Sequence, residues 1–451
     1  MEPFSIEELK AVTSTLKVQN HQVLSTFLRV VFNDLLLRNC NHTFLHCNPP
    51  SSRQKTGITP QPKKGDLTLP SNYRGISLSA IASKIYNKLL LRRVGCELDP
   101  LLNEFRKGRS TISQILSLRR IIVDMRKHNK ELTLRFVDFC KAFDSISRQA
   151  IFDILLLYGI PEPIIEAIKS LYTYTEATAI TPDGETEFFE ITAGVLQGDI
   201  LAPFIFIIVL DYLLRLSLDN LNDRGLQIQA RRSRRHPAEH LIDLDFAFDL
   251  ALITVEDAEA LLQSLERAAA LIRLYCNESK TEYITTTESF HSLKYLLGGT
   301  IKRVQDFQYL AAWIMDSEKD FKVRKSLAWA ACNKLPKLWH SNLPNEYKVS
   351  LSQSLVGPVL LYGAETWTLT QTTQKRLNGT YTNLLHEVQN IHWSEHATKE
   401  RLFGNLPPIS DTLMRRRLQF AGRCLRALKP RAPYSQPKDD VPANIIEGLG
   451  R

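Results

Sequence analysis

The apolar residues of this chain recur in two rhythms, one helical and one extended. Ile6, Leu9 and Val12 share one stripe behind Ser5 and Glu8, which stand at capping-box spacing, so a first helix runs to about Leu16. Residues 40–66 are rich in Pro, Ser, Asn and Lys and read as a loop or linker. An Asn72-Tyr73-Arg74 turn leads into an amphipathic stretch from Ile76 to Leu91. Ile112, Ile115, Leu116 and Ile122 set a helical stripe between Ser110 and Lys127. Leu132 to Phe139 is short, apolar and β-prone, a buried strand that carries an Asp at its end. Asp144 or Ser145 can cap the next helix, which runs to Tyr158 and stops at Gly159 with Pro161 beyond. Asp183-Gly184 reads as a hairpin turn, and Gly194 to Gly198 as a loop before a very apolar helix. Leu241 to Ile253 is a second buried strand region, interrupted by Asp residues. Ala258, Leu261, Leu262, Leu265, Ala269 and Ile272 return to helical spacing. Beyond about residue 320 the pattern is helical, with basic clusters such as Arg415-Arg416-Arg417, and no fixed-period repeat is present. Helices mixed with a few mostly antiparallel strands predict an α+β fold.

Composition narrows the function classes. The chain has 451 residues, 44% apolar and 23% charged, enough for two or three domains and too apolar for wholesale disorder. A net charge of +9 leans toward a polyanionic partner. Seven scattered cysteines, an odd number, argue against a disulfide framework and for a reducing compartment. The acidic opening MEPFSIEELK is unlike a signal peptide. The longest apolar run, Ile200 to Leu210, has 11 residues and stops at Asp211, too short to cross a bilayer. The expectation is therefore an intracellular protein of the cytoplasm or nucleus, with no membrane.

Two segments place carboxylates where a core strand should be apolar: Phe136-Val137-Asp138-Phe139, and the run from Asp243 to Asp249. A buried carboxylate is costly unless protonated, paired or holding a cation. Two such acids at neighbouring strand ends suit Mg²⁺, which prefers hard oxygen ligands, and a pair of such ions supports in-line phosphoryl transfer. The plainer reading is that each Asp caps a turn. Gln197-Gly198 can approach a ligand closely, or form an ordinary turn. Lys63, Lys64 and Arg74 can clamp a triphosphate, or remain solvated. Asn277 and Lys280 follow a helix, where a Lys can donate a proton or oppose the helix dipole. The run Arg231-Arg232-Ser233-Arg234-Arg235-His236 fits phosphate contacts or a solvated loop. Cys40, His42, His46 and Cys47 match none of the usual zinc spacings.

In this order the pieces resemble the reverse transcriptases of non-long-terminal-repeat retrotransposons, of the jockey-like, endonuclease-linked type. The matching text is KKGDLTLPSNYRGISLSAIASKIYNKLL (63–90), EFRKGRSTISQILSLRRII (104–122), FVDFCKAFDSISR (136–148), GVLQGDILAPFIF (194–206), LIDLDFAFDLALI (241–253) and CNESKTEYI (276–284). FQYLAAWI (307–314) and LPPISDTLMRRRLQFAGRCLRA (406–427) extend the likeness over nearly the whole chain. The resemblance implies a right-handed polymerase of fingers, palm with a ferredoxin-like antiparallel sheet, and thumb, followed by a helical C-terminal region. It divides the chain into an N-terminal helical segment (1–45), a reverse transcriptase domain (46–304), thumb and helical region (305–430) and a tail (431–451). It implies an RNA template, a DNA primer, deoxynucleoside triphosphates and two Mg²⁺ or Mn²⁺ ions. Asp138, Asp249 and the backbone carbonyl of Phe139 would hold metal, and Lys280 would be the general acid for pyrophosphate. Phe143 would exclude the 2′-hydroxyl, Gln197 and Gly198 would lie by the nucleotide and template, and Arg74 with Lys63 or Lys64 would reach the triphosphate.

The sequence departs from the pattern at the second metal strand. The family has an aromatic, Ala, Asp and Asp there, and this chain has Phe246, Ala247, Phe248 and Asp249. Phe248 carries no oxygen ligand, which implies a weakened site and the alternative of a catalytically inactive nucleic-acid-binding remnant. The usual glycine of the 307–314 segment is Ala311, residues 16–62 do not resemble the family's fingers entry, and no endonuclease segment precedes the polymerase. The expectation is a truncated, partly degenerate copy.

Overall fold

The structure is a computed structural model, and it describes residues 1–14, 33–63, 65–94, 110–231, 233, 238–246, 249–255, 257–286, 292–395, 397–404 and 406–427. The first helix, Ile6–Ser14, begins with the expected reciprocal cap: Ser5 N–H donates to Glu8 Oε2 at 2.8 Å and Glu8 N–H to Ser5 Oγ at 3.2 Å.

Residues 40–66 are not a loop. Asn33–His46 is a helix, Ser51–Gln54 a short helical turn, and Lys55–Pro62 a strand, β1. Pairing on both sides overrides the loop-like composition. β1 pairs antiparallel with β2 (Tyr73–Leu78) along its length, and parallel with β4 (Glu176–Thr181) only over Lys55–Ile58. Pro60 and Pro62 therefore lie beyond the doubly paired part, where no second neighbour needs their missing N–H. Cys40 is buried in this region against Arg53, and His42 stacks near His46 with ring centroids 4.6 Å apart. β2 takes Ile76 to Leu78 from the expected amphipathic stretch, so the following helix is Ile81–Val94.

The central sheet holds the buried strand foreseen at 132–139. That strand, β3 (Thr133–Val137), is buried at every position. The next helix starts later than the sequence suggested. Ala142–Ser145 is a separate turn, Ile146 is extended, and Arg148–Leu157 follows behind Ser147, which makes no side-chain cap. Asp144 and Ser145 thus do not cap it. Gly159 does stop it, at φ 72°. Thr181 opposite Gly184 closes the expected hairpin between β4 and β5 (Gly184–Glu185), and β6 (Phe189–Glu190) returns to β4. The apolar helix is Ala202–Leu218. A β7–β8 hairpin (Leu226–Gln229, Glu239–Leu241) leads to β9 (Asp243–Phe246) and β10 (Asp249–Thr254). The helix Ala258–Leu271 and β11 (Glu282–Thr285) complete the sheet, with β12 (Lys302–Arg303) added in parallel.

Strand order is β12-β11-β3-β10-β9. Its four antiparallel strands follow the order fourth, first, third, second of a strand–helix–strand–strand–helix–strand unit, the split βαβ arrangement. Alternation sends Val137, Leu250 and Leu252 into a core built on the Ala202–Leu218 helix. Leu134, Phe136, Ala251 and Ile253 point the other way, onto the Thr111–Lys127 helix. A short hairpin, β13 (Gln308–Tyr309) and β14 (Ala312–Trp313), then leads to a separate helical core from Phe321 to Leu413.

Candidate active site

Asp138 and Asp249 are brought together by strand pairing. Val137 stands opposite Leu250 in the antiparallel β3–β10 ladder, so the next step of the register puts Asp138 opposite Asp249 at the same end of the sheet. Asp249 keeps more than a third of its surface exposed. Crowding by surrounding protein atoms, then the charge of Asp138, pushes its pKa up. Two carboxylates thus face each other at the exposed end of the sheet.

The segment after the Ala258–Leu271 helix braces Asp138 from the other side. Asn277 N–H donates to the Asp138 carbonyl at 2.7 Å, Cys140 N–H to the Tyr275 carbonyl at 2.8 Å, and Asp138 N–H to Thr281 Oγ1 at 3.4 Å. These bonds bracket Phe139 opposite Cys276, so the carbonyl of Phe139 points away from Cys276, to the side where β10 lies. Asn277 Nδ2 reaches Asp138 Oδ2 at 3.3 Å, and Lys280 Nζ pairs with the same oxygen at 3.0 Å. Lys280 therefore lies beside Asp138. Asn277 and Thr281 are the supports that motif spacing alone did not rank among the site residues.

A second group forms around Phe143. Its ring lies 5.2 Å from that of Phe206, and its carbonyl accepts from Val195 N–H at 2.7 Å. Gly194, at φ 70°, has no room for a side chain, since a Cβ would stand 2.2 Å from the Phe143 carbonyl oxygen. Ser77 N–H on β2 donates to the Gln197 carbonyl at 2.6 Å, so the Gln197-Gly198 loop docks on the first sheet. Lys63 closes its own hairpin, with N–H to Asn72 O at 2.7 Å and Nζ to Ser71 O at 3.2 Å. Burial raises the Asp144 pKa, and the charges of Lys141 and then Lys63 oppose that shift only in part. Arg74 is exposed on β2 opposite Gln61. Lys64, Phe248 and most of the 231–236 run lie outside the described residues. Arg231 is exposed beyond β7.

Against known families, a model described as reverse transcriptase (RNA-dependent DNA polymerase) matches residues 61–311, more than half of the chain. The chain belongs to the reverse transcriptase family. Asp138, Phe143, Gln197, Asp249 and Lys280 all fall inside the matched span. The chain is 30% identical over 346 residues to the retrovirus-related Pol polyprotein from type-1 retrotransposable element R2 of Popillia japonica, covering 73% of this chain and 46% of that protein. It is 28% identical over 190 residues to the Pol polyprotein from type-2 retrotransposable element R2DM of Drosophila melanogaster, covering 42% of this chain and 18% of that one. The chain thus spans less than half the length of these relatives. Among solved structures it is similar to apo telomerase from Candida tropicalis, with a TM-score of 0.42 and 13% identity over 87% of this chain and 68% of that one. No described helix of this reverse transcriptase chain is long and apolar enough to cross a membrane.

The donor set of the reverse transcriptase site is hard oxygen: two carboxylates and a carbonyl directed to their side. A divalent cation fits it, because it would relieve the repulsion that raises the Asp249 pKa. Among the described residues no group of three or more His, Cys, Asp or Glu side chains forms a metal site. The fit is therefore to a carboxylate pair.

Proposed function

We propose that this chain is the RNA-directed DNA polymerase domain of a non-long-terminal-repeat retrotransposon, joining deoxynucleotides to a DNA primer on an RNA template. The observation that carries this reading is Asp138 opposite Asp249 at adjacent strand ends, with Lys280 on Asp138. Asp138, Asp249 and the Phe139 carbonyl would hold Mg²⁺ or Mn²⁺. Such ions activate the attacking hydroxyl and neutralise charge on the leaving pyrophosphate. Lys280, paired with Asp138, would give pyrophosphate a proton. Phe143, wedged against Phe206, would press on the sugar where a 2′-hydroxyl would lie. Gln197 and Gly198 would meet the nucleotide and template, and Lys63, Lys64 and Arg74 the triphosphate.

In this reading residues 46–304 form fingers and palm, and 305–430 the thumb and a helical region. Residues 1–45 are an N-terminal segment and 431–451 a tail. The protein works inside the cell, in the cytoplasm or nucleus. Phe248 supports a second reading, a remnant that binds nucleic acid without catalysis, since two ions on two carboxylates are weakly held.

Primer extension separates the two readings. The chain is expected not to extend oligo-dT on poly-rA with Mg²⁺, and Phe248→Asp to raise extension by about tenfold or more. Clear extension by the unaltered chain, abolished by Asp138→Ala, overturns the inactive reading. Binding to an RNA–DNA hybrid is expected to weaken steeply with salt. A flat salt response removes nucleic acid from both readings.

A further inference from the structure

Asp199 follows Gln197 and Gly198 and is only 6% exposed. Its carboxylate gathers three donors from three different elements. Asn87 Nδ2, on the Ile81–Val94 helix, donates at 2.6 Å. The Tyr172 hydroxyl, at the end of the Glu162–Tyr172 helix, donates at 3.4 Å, and Leu201 N–H, just before the Ala202–Leu218 helix, at 3.4 Å. Among the described residues, the groups that act most on it are neutral: Asn87, the Leu201 and Ile200 backbone N–H groups and Tyr172.

A turn ahead of the Ala202–Leu218 helix needs only the Leu201 bond, an Asx turn that a serine supplies as well. Burying a carboxylate among neutral donors is expensive, and a turn alone does not account for it. The preceding residues give the arrangement a consequence. Gly198, at φ 111°, lies so close to β2 that a Cβ would stand 2.6 Å from the Ser77 carbonyl oxygen. The Gln197 carbonyl takes the Ser77 N–H at 2.6 Å. The loop is therefore pinned at one end to the first sheet and at the other, through Asp199, to two helices behind it. Its backbone has no room to slide relative to β2, the strand that also carries Arg74.

We propose that Asp199 is a positioning residue for the nucleotide site, clamping Gln197 and Gly198 where they meet a deoxynucleoside triphosphate. This rests on the reverse transcriptase reading of Gln197. Asp199 touches no substrate and acts through the loop. The side chain is needed for its length and its two acceptor oxygens, because only these reach Asn87 and Tyr172 together. Asparagine keeps the length and one acceptor, and serine keeps the turn alone.

The test measures equilibrium binding of a fluorescent deoxynucleoside triphosphate with Mn²⁺, and separately of a labelled RNA–DNA hybrid. It compares the full chain with Asp199→Asn and Asp199→Ser, each checked for a cooperative thermal melt. Asp199→Ser is expected to weaken triphosphate binding about tenfold while hybrid binding stays within about twofold, and Asp199→Asn to restore triphosphate binding to within about threefold of the parent. Triphosphate binding by Asp199→Ser equal to the parent reduces the residue to a turn former and overturns the proposal. Equal loss of triphosphate and hybrid binding makes it a general structural residue and also overturns it. A parent that binds hybrid but no triphosphate overturns the proposal and leaves the family reading standing. A parent that binds neither overturns both.

Discussion

Two carboxylate sites in this molecule do opposite things with their charge. At the junction between the central sheet and the C-terminal helices, Asp320 is fully buried. Arg119 from the Thr111–Lys127 helix pairs with its Oδ2 at 3.0 Å, and Trp367 Nε1 donates to the same oxygen at 2.8 Å. Trp313 N–H donates to its Oδ1 at 3.3 Å, and Arg324 stands 3.8 Å from it. At the sheet end, among the described residues, Asp138 has only Asn277 and an exposed Lys280 on its side chain, and Asp249 faces it as a like charge. Asp320 has both its oxygens answered by the protein and acts as a joint. The Asp138–Asp249 pair sets two like charges side by side at an exposed strand end, an arrangement that a divalent cation would neutralise.

The contrast is broken most directly by removing each charge. Asp320→Ala leaves Arg119 and Arg324 buried without their counter-ion and is expected to cost about 3–5 kcal/mol in denaturant unfolding. Asp138→Asn loses an exposed ion pair and is expected to change stability by under about 1 kcal/mol while weakening Mn²⁺ binding. Equal stability losses in the two variants would erase the distinction.

Arg135 sharpens it. It is as buried as Asp320, yet only its Nη2 finds a partner, Thr254 Oγ1 at 3.2 Å, while Nε and Nη1 have none. Burial pushes its pKa down to about 9. Arg135→Met is expected to stabilise the chain by about 2 kcal/mol, because an apolar side chain of similar length leaves no polar group unsatisfied. A destabilised variant would show that the buried charge has a role.

Asp243 on β9 is crowded too, but without an opening. Burial first, then Asp245 and Asp211, raise its pKa to about 7. Unfolded, the carboxyl titrates near ~3.9. Between those two values the folded chain holds a proton that the unfolded chain has released. Stability from this group is therefore complete below about pH 4, falls as pH rises to about 7, and is level above that. Asp243→Asn is expected to remove that fall, on the order of 2 kcal/mol, in melts taken from pH 5 to pH 8. An unchanged pH slope would show that Asp243 ionises freely.

The smallest effect belongs to the turn beside the Asp320 joint. Leu310 and Ala311, at φ 47° and 60°, form the tight β13–β14 turn in a left-handed conformation that suits glycine. Ala311 also offers its carbonyl to Arg324. Ala311→Gly is expected to raise stability by about 1 kcal/mol, read as a higher melting temperature. A lower melting temperature would mean that the turn is not strained.

Much of this was legible in the sequence because it depends on local rhythm. The short apolar, β-prone runs at 132–139 and 241–253, the Ser5–Glu8 cap, the Asp183-Gly184 turn and the apolar helix after Gly198 all depend on neighbours within a few residues. The motif order placed Asp138, Asp249 and Lys280 in one site, and strand register and a 3.0 Å ion pair place them together. What spacing could not supply was the partner list. Lys55–Pro62 is a strand only because two others flank it, and Asp320 is a joint only because Arg119, 201 residues away in sequence, reaches it.

The sequence by itself determined most element types outside 40–66, the family and the acidic strand ends, because helix and strand periodicity and motif spacing are written along the chain. The tertiary structure alone decided which charges are spent internally and which remain at an opening. A carboxylate has the same chemistry at positions 138, 199, 243 and 320. Its role follows from the donors that distant segments bring to it and from the water it loses on the way.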